Sequence, residues 1–171
     1  MISEKLKNIK LLLLDVDGVL TDGSIIYNDN NEETKTFNVK DGFGIRLLMD
    51  AGIEVGIVTG RASKALIHRC NNLGLSLIFD GVVDKSAIFD KIMEETGLSE
   101  YEIAFIGDDL PDLPLLKKTG LSIAVSDAHE VVRSNVDLVT SAKGGNGAVR
   151  EICEAILKAG GLWDEILKKY L

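Results

Sequence analysis

The chain has 171 residues, of which 46% are hydrophobic and 27% are charged, and its net charge is −8. These proportions are typical of a soluble globular protein with one domain and a real core. The acidic balance argues against a nucleic-acid partner, which requires a basic face. The apolar run that follows the lysine-bearing residues 1–10 stops at Asp15, so we expect no targeting peptide, no membrane span and a cytoplasmic location. We expect Cys70 and Cys153 to be buried, reduced thiols.

The first predicted strand covers residues 11–14, where four consecutive leucines indicate burial on both faces. It ends in Asp15 and Asp17, whose like charges repel each other at close range. A divalent cation such as Mg²⁺ relieves that repulsion and takes oxygen ligands of this kind. Gly18 allows a sharp turn that brings backbone groups to the same place. The stretch therefore predicts an acidic site for a metal and a phosphate rather than a plain polar turn.

The same DxD spacing also opens a calcium-binding EF-hand loop. That loop requires oxygen ligands at fixed later positions and a glutamate at the twelfth. Val19 and Ile26 occupy the fifth and twelfth positions here, so the EF-hand interpretation fails.

Downstream, the pattern alternates between strands and helices. A β-hairpin is predicted over residues 23–39, with strands at 25–27 and 34–39, and further strands follow at 54–58, 77–79, 103–106, 122–125 and 138–140. Helices are predicted over 41–51, 63–73, 84–96, 112–120, 128–135 and 148–158, before an amphipathic tail at 160–171. This alternation indicates an α/β fold, a three-layer, Rossmann-like parallel sheet with helices on both faces. We expect residues 1–171 to form a single domain.

Side chains that could bind a metal ion or a phosphate group follow the predicted strands or begin the next helix. They are Asp15, Asp17, Thr59, Lys85, Asp108 and Asp109. The carboxyl ends of parallel strands lie at one edge of a sheet, where ligands collect. Carboxylates there can hold a metal or attack, while a hydroxyl and an ammonium can hold phosphate oxygens. In-line phosphoryl transfer needs this positioning and neutralisation of charge.

Four motifs in this order resemble those of the haloacid dehalogenase superfamily: DVDGVLTD, TGR, Lys85 and GDDLPD. The resemblance implies that Asp15 is the nucleophile that forms an aspartyl-phosphate. It also implies that Asp17 protonates the leaving oxygen and later activates water. By the same resemblance, Thr59 and Lys85 hold the phosphoryl group and steady the charge of the nucleophile.

The resemblance further implies a Mg²⁺ cofactor. Its ligands are expected to be the side chains of Asp15 and Asp108 and the backbone carbonyl of Asp17. Asp109 and Asp112 are expected in a supporting role, in which they orient the lysine and the water molecules on the metal.

Many members of the superfamily carry a cap domain before or after the second motif. Neither residues 23–53 nor residues 60–84 leave room for one here. The whole chain, including KGGNGAVREICEAIL near its end, is similar to the 3-deoxy-D-manno-octulosonate 8-phosphate phosphatases. These are capless, Mg²⁺-dependent enzymes of lipopolysaccharide sugar synthesis that form homotetramers. Members often have glutamine where this chain has Asp80, a departure that leaves the nucleophile untouched but bears on the identity of the sugar.

Three other functions fit parts of the pattern. A phosphatase for a nine-carbon, sialic-acid-type sugar phosphate remains an open alternative, because sequence barely separates such enzymes from phosphatases for the eight-carbon sugar acid phosphate. A non-catalytic domain that only drives oligomerisation is disfavoured by the retained Asp15, Lys85 and Asp108. A phospho-signalling receiver domain takes its phosphorylated aspartate from a different strand, and the DxDG spacing argues against it.

A phosphorylated sugar acid carries a carboxylate besides its phosphate. We expect substrate binding by Thr59, Gly60, Arg61 and Lys85, with the guanidinium of Arg61 on the sugar carboxylate. A structural salt bridge is the alternative role for Arg61. The apolar residues of the hairpin and of the 160–171 tail have no evident partner within the domain. We expect both to pack against a neighbouring subunit, with the tail over the adjacent active site. The alternative is that both fold back onto their own domain.

Overall fold

A computed structural model describes the whole chain, residues 1–171. Its strands are β1 Leu11–Leu14, β2 Ile26–Tyr27, β3 Glu33–Thr34, β4 Glu54–Val58, β5 Leu77–Phe79, β6 Ile103–Gly107, β7 Leu121–Ala124 and β8 Leu138–Val139. Its helices are α1 Ile2–Asn8, α2 Val39–Asp50, α3 Lys64–Leu73, α4 Ala87–Thr96, α5 Leu113–Leu116, α6 Glu130–Arg133, α7 Ala148–Ala159 and α8 Trp163–Leu167. None of these helices combines the length and the apolar character that crossing a membrane requires.

Six strands form one parallel sheet in the order β5-β4-β1-β6-β7-β8, while β2 and β3 form a separate antiparallel hairpin. Strand β1 lies between β4 and β6, and its four leucines are fully buried. Helices pack around the sheet. They cover both of its faces, because a strand such as β1 that is buried on both sides needs a layer of helices on each. The predicted α/β fold is confirmed. Its strand order places the carboxyl ends of β4, β1 and β6 side by side.

The segment between β1 and α2 differs from its predicted form. The strand predicted at 34–39 is wrong beyond Thr34, where β3 ends. Asn38 begins a helix instead, because its side chain accepts hydrogen bonds from the backbone N–H groups of Lys40 and Asp41. Such a cap stabilises a helix by about 1 kcal/mol, and the helix that it starts includes Val39, the last residue of the predicted strand.

Both ends of the chain pack on its core. The sequence pattern did not predict α1, yet Leu6 of this helix is buried. In the tail, Ile166 is buried, Trp163 packs partly on the core, and the ring of Tyr170 lies 5.8 Å from that of Phe43. The tail thus packs in part on its own domain, which was the alternative to its packing on a neighbouring subunit. A helix as short as α8 is stable only when such packing supports it.

Asp41 joins helix α2 to helix α7. Its buried carboxylate accepts the backbone N–H groups of Gly147 at 3.2 Å and of Arg150 at 2.8 Å at the start of α7. Asp41→Ala is expected to lower the free energy of unfolding by about 1–3 kcal/mol, because two donors lose their acceptor. Urea unfolding measures the change, with the exposed Asp50→Ala as the matched control. Equal free energies of unfolding for the two variants would show that the hydrogen bonds of Asp41 to the start of α7 do not stabilise the fold.

Candidate active site

Strands β1, β4 and β6 are followed directly by Asp15, Thr59 and Asp108. The three residues open into one cavity of about 530 Å³. Every residue predicted for the site lines this cavity: Asp15, Asp17, Thr59, Gly60, Arg61, Lys85, Asp108, Asp109 and Asp112. Parallel strands with neighbouring carboxyl ends account for this convergence of residues that are far apart in sequence.

Three carboxylates lie close together in the cavity. Oxygen atoms of Asp15, Asp108 and Asp112 are all within 4.8 Å of one another. Burial and the charge of Asp112 raise the pKa of Asp15 to about 6. Burial and the neighbouring carboxylates raise the pKa of Asp108 to about 8. This concentration of buried negative charge favours a hard divalent cation, because such ions take oxygen ligands.

Lys85 lies against this acidic cluster. Its Nζ atom is 2.7 Å from Asp15 Oδ1 and 2.5 Å from Asp112 Oδ1, and its side chain is only 7% exposed. Burial alone lowers the pKa of Lys85, but the two carboxylates outweigh that effect and raise it. The side chain therefore stays a charged ammonium beside Asp15.

The loop after β6 is held by Asp112. Its carboxylate accepts the backbone N–H groups of Asp108 at 2.8 Å and of Asp109 at 3.2 Å, besides the ammonium of Lys85. Asp112 thus orients the lysine and the acidic loop together. The carboxylate of Asp109 instead accepts the N–H of Leu110 at 2.8 Å and makes no ion pair with Lys85. The expectation that Asp109 orients the lysine is therefore not met.

Thr59 is buried at the end of β4. Its backbone N–H donates to the carbonyl of Phe79 at 2.9 Å, and its carbonyl accepts the N–H of Val82 at 3.0 Å. The segment that follows β5 therefore holds Thr59 in place. The Thr59 hydroxyl has one partner, the N–H of Arg61 at 3.5 Å, and it faces the same cavity as Asp15.

The carboxylate of Asp17 contacts the hairpin instead of the acidic cluster. Lys35 forms an ion pair with one Asp17 oxygen, and Arg61 Nε lies 3.5 Å from the other. Glu33 lies between these cations, 2.9 Å from Lys35 Nζ and 2.5 Å from Arg61 Nη2. Arg61 thus makes the salt bridges that were the alternative to a substrate role. Sequence reasoning missed Glu33 and Lys35, and the available signal was two opposite charges spaced two residues apart on a hairpin.

Two glycines shape the loop after β1. Gly18 has a φ of +88°, and a Cβ atom there would overlap the carboxylate of Asp108. Gly144 packs so closely that a Cβ atom would overlap the carbonyl oxygen of Gly18. The N–H of Gly145 also donates to the carbonyl of Val19 at 2.8 Å. The glycine-rich turn before α7 therefore supports the loop that carries Asp17.

Comparison with known proteins places this geometry in a family. A sequence model of the haloacid dehalogenase-like hydrolases matches residues 77–152. The 3-deoxy-D-manno-octulosonate 8-phosphate phosphatase KdsC of Escherichia coli K12 is 47% identical over 161 residues, which cover 94% of this chain and 86% of that protein. This chain belongs to the 3-deoxy-D-manno-octulosonate 8-phosphate phosphatase family.

Solved structures of phosphatases in this family share its fold. One from Moraxella catarrhalis, in complex with a magnesium ion, a phosphate ion and a KDO molecule, has a TM-score of 0.97 at 43% identity and covers 99% of this chain and 98% of that chain. One from Yersinia pestis has a TM-score of 0.93 at 42% identity and covers 95% and 88% of the two chains. The haloacid dehalogenase-like fold that the motifs implied is thus confirmed over almost the whole chain.

In this family member, Gly144→Ala is expected to lower turnover at least about 100-fold, because misplacing a catalytic group by about 1 Å has that effect. We also expect the overpacked variant to lose about 1–3 kcal/mol of stability. Phosphate release and thermal unfolding measure the two effects. Gly160→Ala is the matched control, because Gly160 has a φ of −74° and its nearest neighbour to an added Cβ is 3.4 Å away. If Gly144→Ala and the control turn over at the same rate, the glycine-rich turn does not support the loop that carries Asp17.

Proposed function

We propose that this protein hydrolyses 3-deoxy-D-manno-octulosonate 8-phosphate to the free sugar acid and inorganic phosphate. The observation that carries the proposal is the 47% identity, over 94% of the chain, to the Escherichia coli phosphatase of that name. The convergence of Asp15, Lys85 and Asp108 in one cavity supports it. The proposed setting is lipopolysaccharide sugar synthesis in the cytoplasm.

Asp15 is the proposed nucleophile. One of its carboxylate oxygens attacks phosphorus, and the bond between phosphorus and the sugar oxygen breaks as an aspartyl-phosphate forms. The Lys85 ammonium, 2.7 Å from Asp15 Oδ1, steadies the carboxylate and balances charge on the phosphoryl oxygens. The Thr59 hydroxyl donates a further hydrogen bond to the phosphoryl group.

Asp17 is the proposed general acid and base. Its carboxyl group gives a proton to the leaving sugar oxygen, and the resulting carboxylate later takes a proton from the attacking water. That second attack breaks the bond between phosphorus and Asp15, releases phosphate and restores both aspartates. Lys35 and Arg61 hold this carboxylate apart from the cluster of acids. Because cations favour the ionised form of a carboxyl group, these contacts suit the second half of the reaction, in which Asp17 acts as the base.

The acidic cluster suits a Mg²⁺ ion. The proposed ligands are the carboxylates of Asp15 and Asp108 and the backbone carbonyl of Asp17, with Asp112 and Asp109 supporting them. The fit rests on an oxygen-only donor set whose carboxylates lie within 4.8 Å of one another. Burial, together with repulsion among these carboxylates, raises the pKa values of Asp15 and Asp108, and a bound cation would favour their ionised forms. When bound, Mg²⁺ neutralises the repulsion between the nucleophile and the phosphate.

The guanidinium of Arg61 is proposed to bind the sugar carboxylate, next to the backbone of Gly60. Arg61 is already paired with Glu33 and Asp17, so the substrate must displace at least one of them. A carboxylate can do so, because the Arg61 side chain is 41% exposed and accessible from the cavity.

We further propose one phosphatase domain over residues 1–171, with residues 23–39 as a flap and residues 160–171 as a tail. A homotetramer is the proposed assembly. The flap carries Ile25, Ile26 and Tyr27, which are 48%, 49% and 61% exposed and available to a neighbouring subunit. Light scattering should then give about four times the mass of the 18.5 kDa chain.

A panel of phosphomonoesters tests the function. With Mg²⁺ present, we expect the highest kcat/KM on the eight-carbon sugar acid 8-phosphate and a lower one on p-nitrophenyl phosphate. A nine-carbon sugar acid 9-phosphate is the discriminating third substrate, and a preference for it would replace the proposed substrate. Absence of continuous turnover on all three would reject a phosphatase altogether.

A further inference from the structure

The hairpin closes a ring of alternating charges around Asp17. Lys35 pairs with one oxygen of Asp17, and Glu33 Oε1 lies 2.9 Å from Lys35 Nζ. Glu33 Oε2 accepts a hydrogen bond from Arg61 Nη2 at 2.5 Å, and Arg61 Nε lies 3.5 Å from the second Asp17 oxygen. Two cations and two carboxylates therefore hold one another with no net charge.

Lys35 is the most enclosed member of this ring. Its side chain is 2% exposed, compared with 22% for Asp17 and 41% for Arg61. An ammonium withdrawn from water is costly unless it is paired, and both partners of Lys35 belong to the ring. Lys35 lies on the hairpin segment, outside the main sheet.

Asp17 depends on the ring for its orientation. It lies in the turn after β1, where a carboxylate free of contacts can rotate. Of its two cations, Arg61 is the more distant and the more exposed, and the proposed substrate carboxylate competes for it. Lys35 is then the partner that keeps the Asp17 carboxyl in place while substrate is bound.

We propose that Lys35 is a positioning residue for phosphoryl transfer. Its ammonium donates to one oxygen of the Asp17 carboxyl group, so that the other oxygen is the one that carries the proton to the leaving oxygen. This inference rests on the proposed function, in which Asp17 is the general acid. A positioned acid contributes about 10²–10⁴-fold to rate. Lys35 contacts Asp17 and Glu33 and neither Asp15 nor the acidic cluster, so its effect passes through Asp17.

The leaving group separates this role from a structural one. The sugar alkoxide is a poor leaving group that needs a proton, whereas p-nitrophenolate leaves without one. The ratio kcat/KM includes only the steps up to the aspartyl-phosphate, so it isolates that proton transfer. Lys35→Met is expected to lower kcat/KM about 100-fold on the sugar phosphate and less than about tenfold on p-nitrophenyl phosphate.

Three further variants complete the experiment. Lys40→Met removes an exposed lysine without an ion pair and is expected to change neither value. Lys35→Arg, which keeps the charge, is expected to recover most of the loss on the sugar phosphate. Lys35→Gln is measured beside the methionine variant, so that the comparison stands if that variant does not fold.

Equal losses on both substrates, for whichever variant folds, would overturn the positioning role. Thermal unfolding of each variant shows which proteins are folded. If the unmodified protein hydrolyses neither substrate, the proposed function itself fails, and that outcome is distinct from failure of the role given to Lys35.

Discussion

Asp15→Asn is expected to lower turnover about 10⁴-fold or more, which is the order of effect when one member of a concerted catalytic set is removed. The amide oxygen of asparagine is too weak a nucleophile to attack phosphorus. Phosphate release from the sugar phosphate, measured with the purified variant and Mg²⁺, gives the size of the loss. Activity within tenfold of the unmodified protein would contradict the assignment of Asp15 as nucleophile.

The same variant is expected to stay folded. Burial and the charge of Asp112 raise the pKa of Asp15 from 3.8 to about 6, so the ionised carboxylate opposes folding. This cost develops as the pH rises from about 4 and is complete above about 6. Lys85 loses one partner in the variant but keeps Asp112 at 2.5 Å.

Thermal unfolding of the metal-free protein tests whether the ionised Asp15 carboxylate destabilises the fold. At neutral pH, Asp15→Asn should unfold at the same temperature as the unmodified protein or at a higher one. Below about pH 4 the advantage should vanish, because Asp15 is then protonated in both states. A much lower midpoint at neutral pH would show that the loss of activity reflects unfolding.

Removal of divalent cations is expected to lower turnover at least about 100-fold, and Mg²⁺ is expected to restore it. The ion's neutralisation of charge is worth several kcal/mol, and each 1.36 kcal/mol is tenfold in rate. Without a cation, the carboxylates of Asp15, Asp108 and Asp112 lie within 4.8 Å of one another and repel the incoming phosphate. Protein treated with a chelator and then titrated with Mg²⁺ provides the measurement. Full activity in excess chelator would reject the metal site.

Asp108→Asn tests the ligand set separately. We expect the Mg²⁺ concentration for half-maximal activity to rise at least about tenfold, because one charged ligand is lost. Mg²⁺ should also raise the unfolding temperature of the unmodified protein, since a ligand that binds the folded state stabilises it, and should do so less in this variant. The exposed Asp29→Asn is the matched control. An unchanged response of Asp108→Asn in both assays would exclude Asp108 as a ligand.

Local patterns were enough to predict much of the fold. The predicted and observed bounds of β1 and β4 are the same. An apolar run buried on both faces, with an acid or a polar turn at its end, is a property of a few consecutive residues. The wrong strand at 34–39 shows the limit of this reasoning, because residues 35–38 form neither strand nor helix and Asn38 caps the helix that begins at Val39.

The sequence also determined which residues meet at the site. Asp15, Thr59 and Asp108 each follow a strand directly, and parallel strands bring their carboxyl ends to one edge. Once the alternation of strands and helices was recognised, the order of the motifs was sufficient to group them. No side-chain detail was needed for that conclusion.

Only the tertiary structure decided what surrounds those residues. It brought Lys35 to Asp17 and placed Gly144 against Gly18. Neither of these contacts involves neighbours in the chain, and each depends on the direction in which a hairpin or loop leaves the sheet. Local periodicity carries no information about that direction, because packing and the pairing of buried charges determine it.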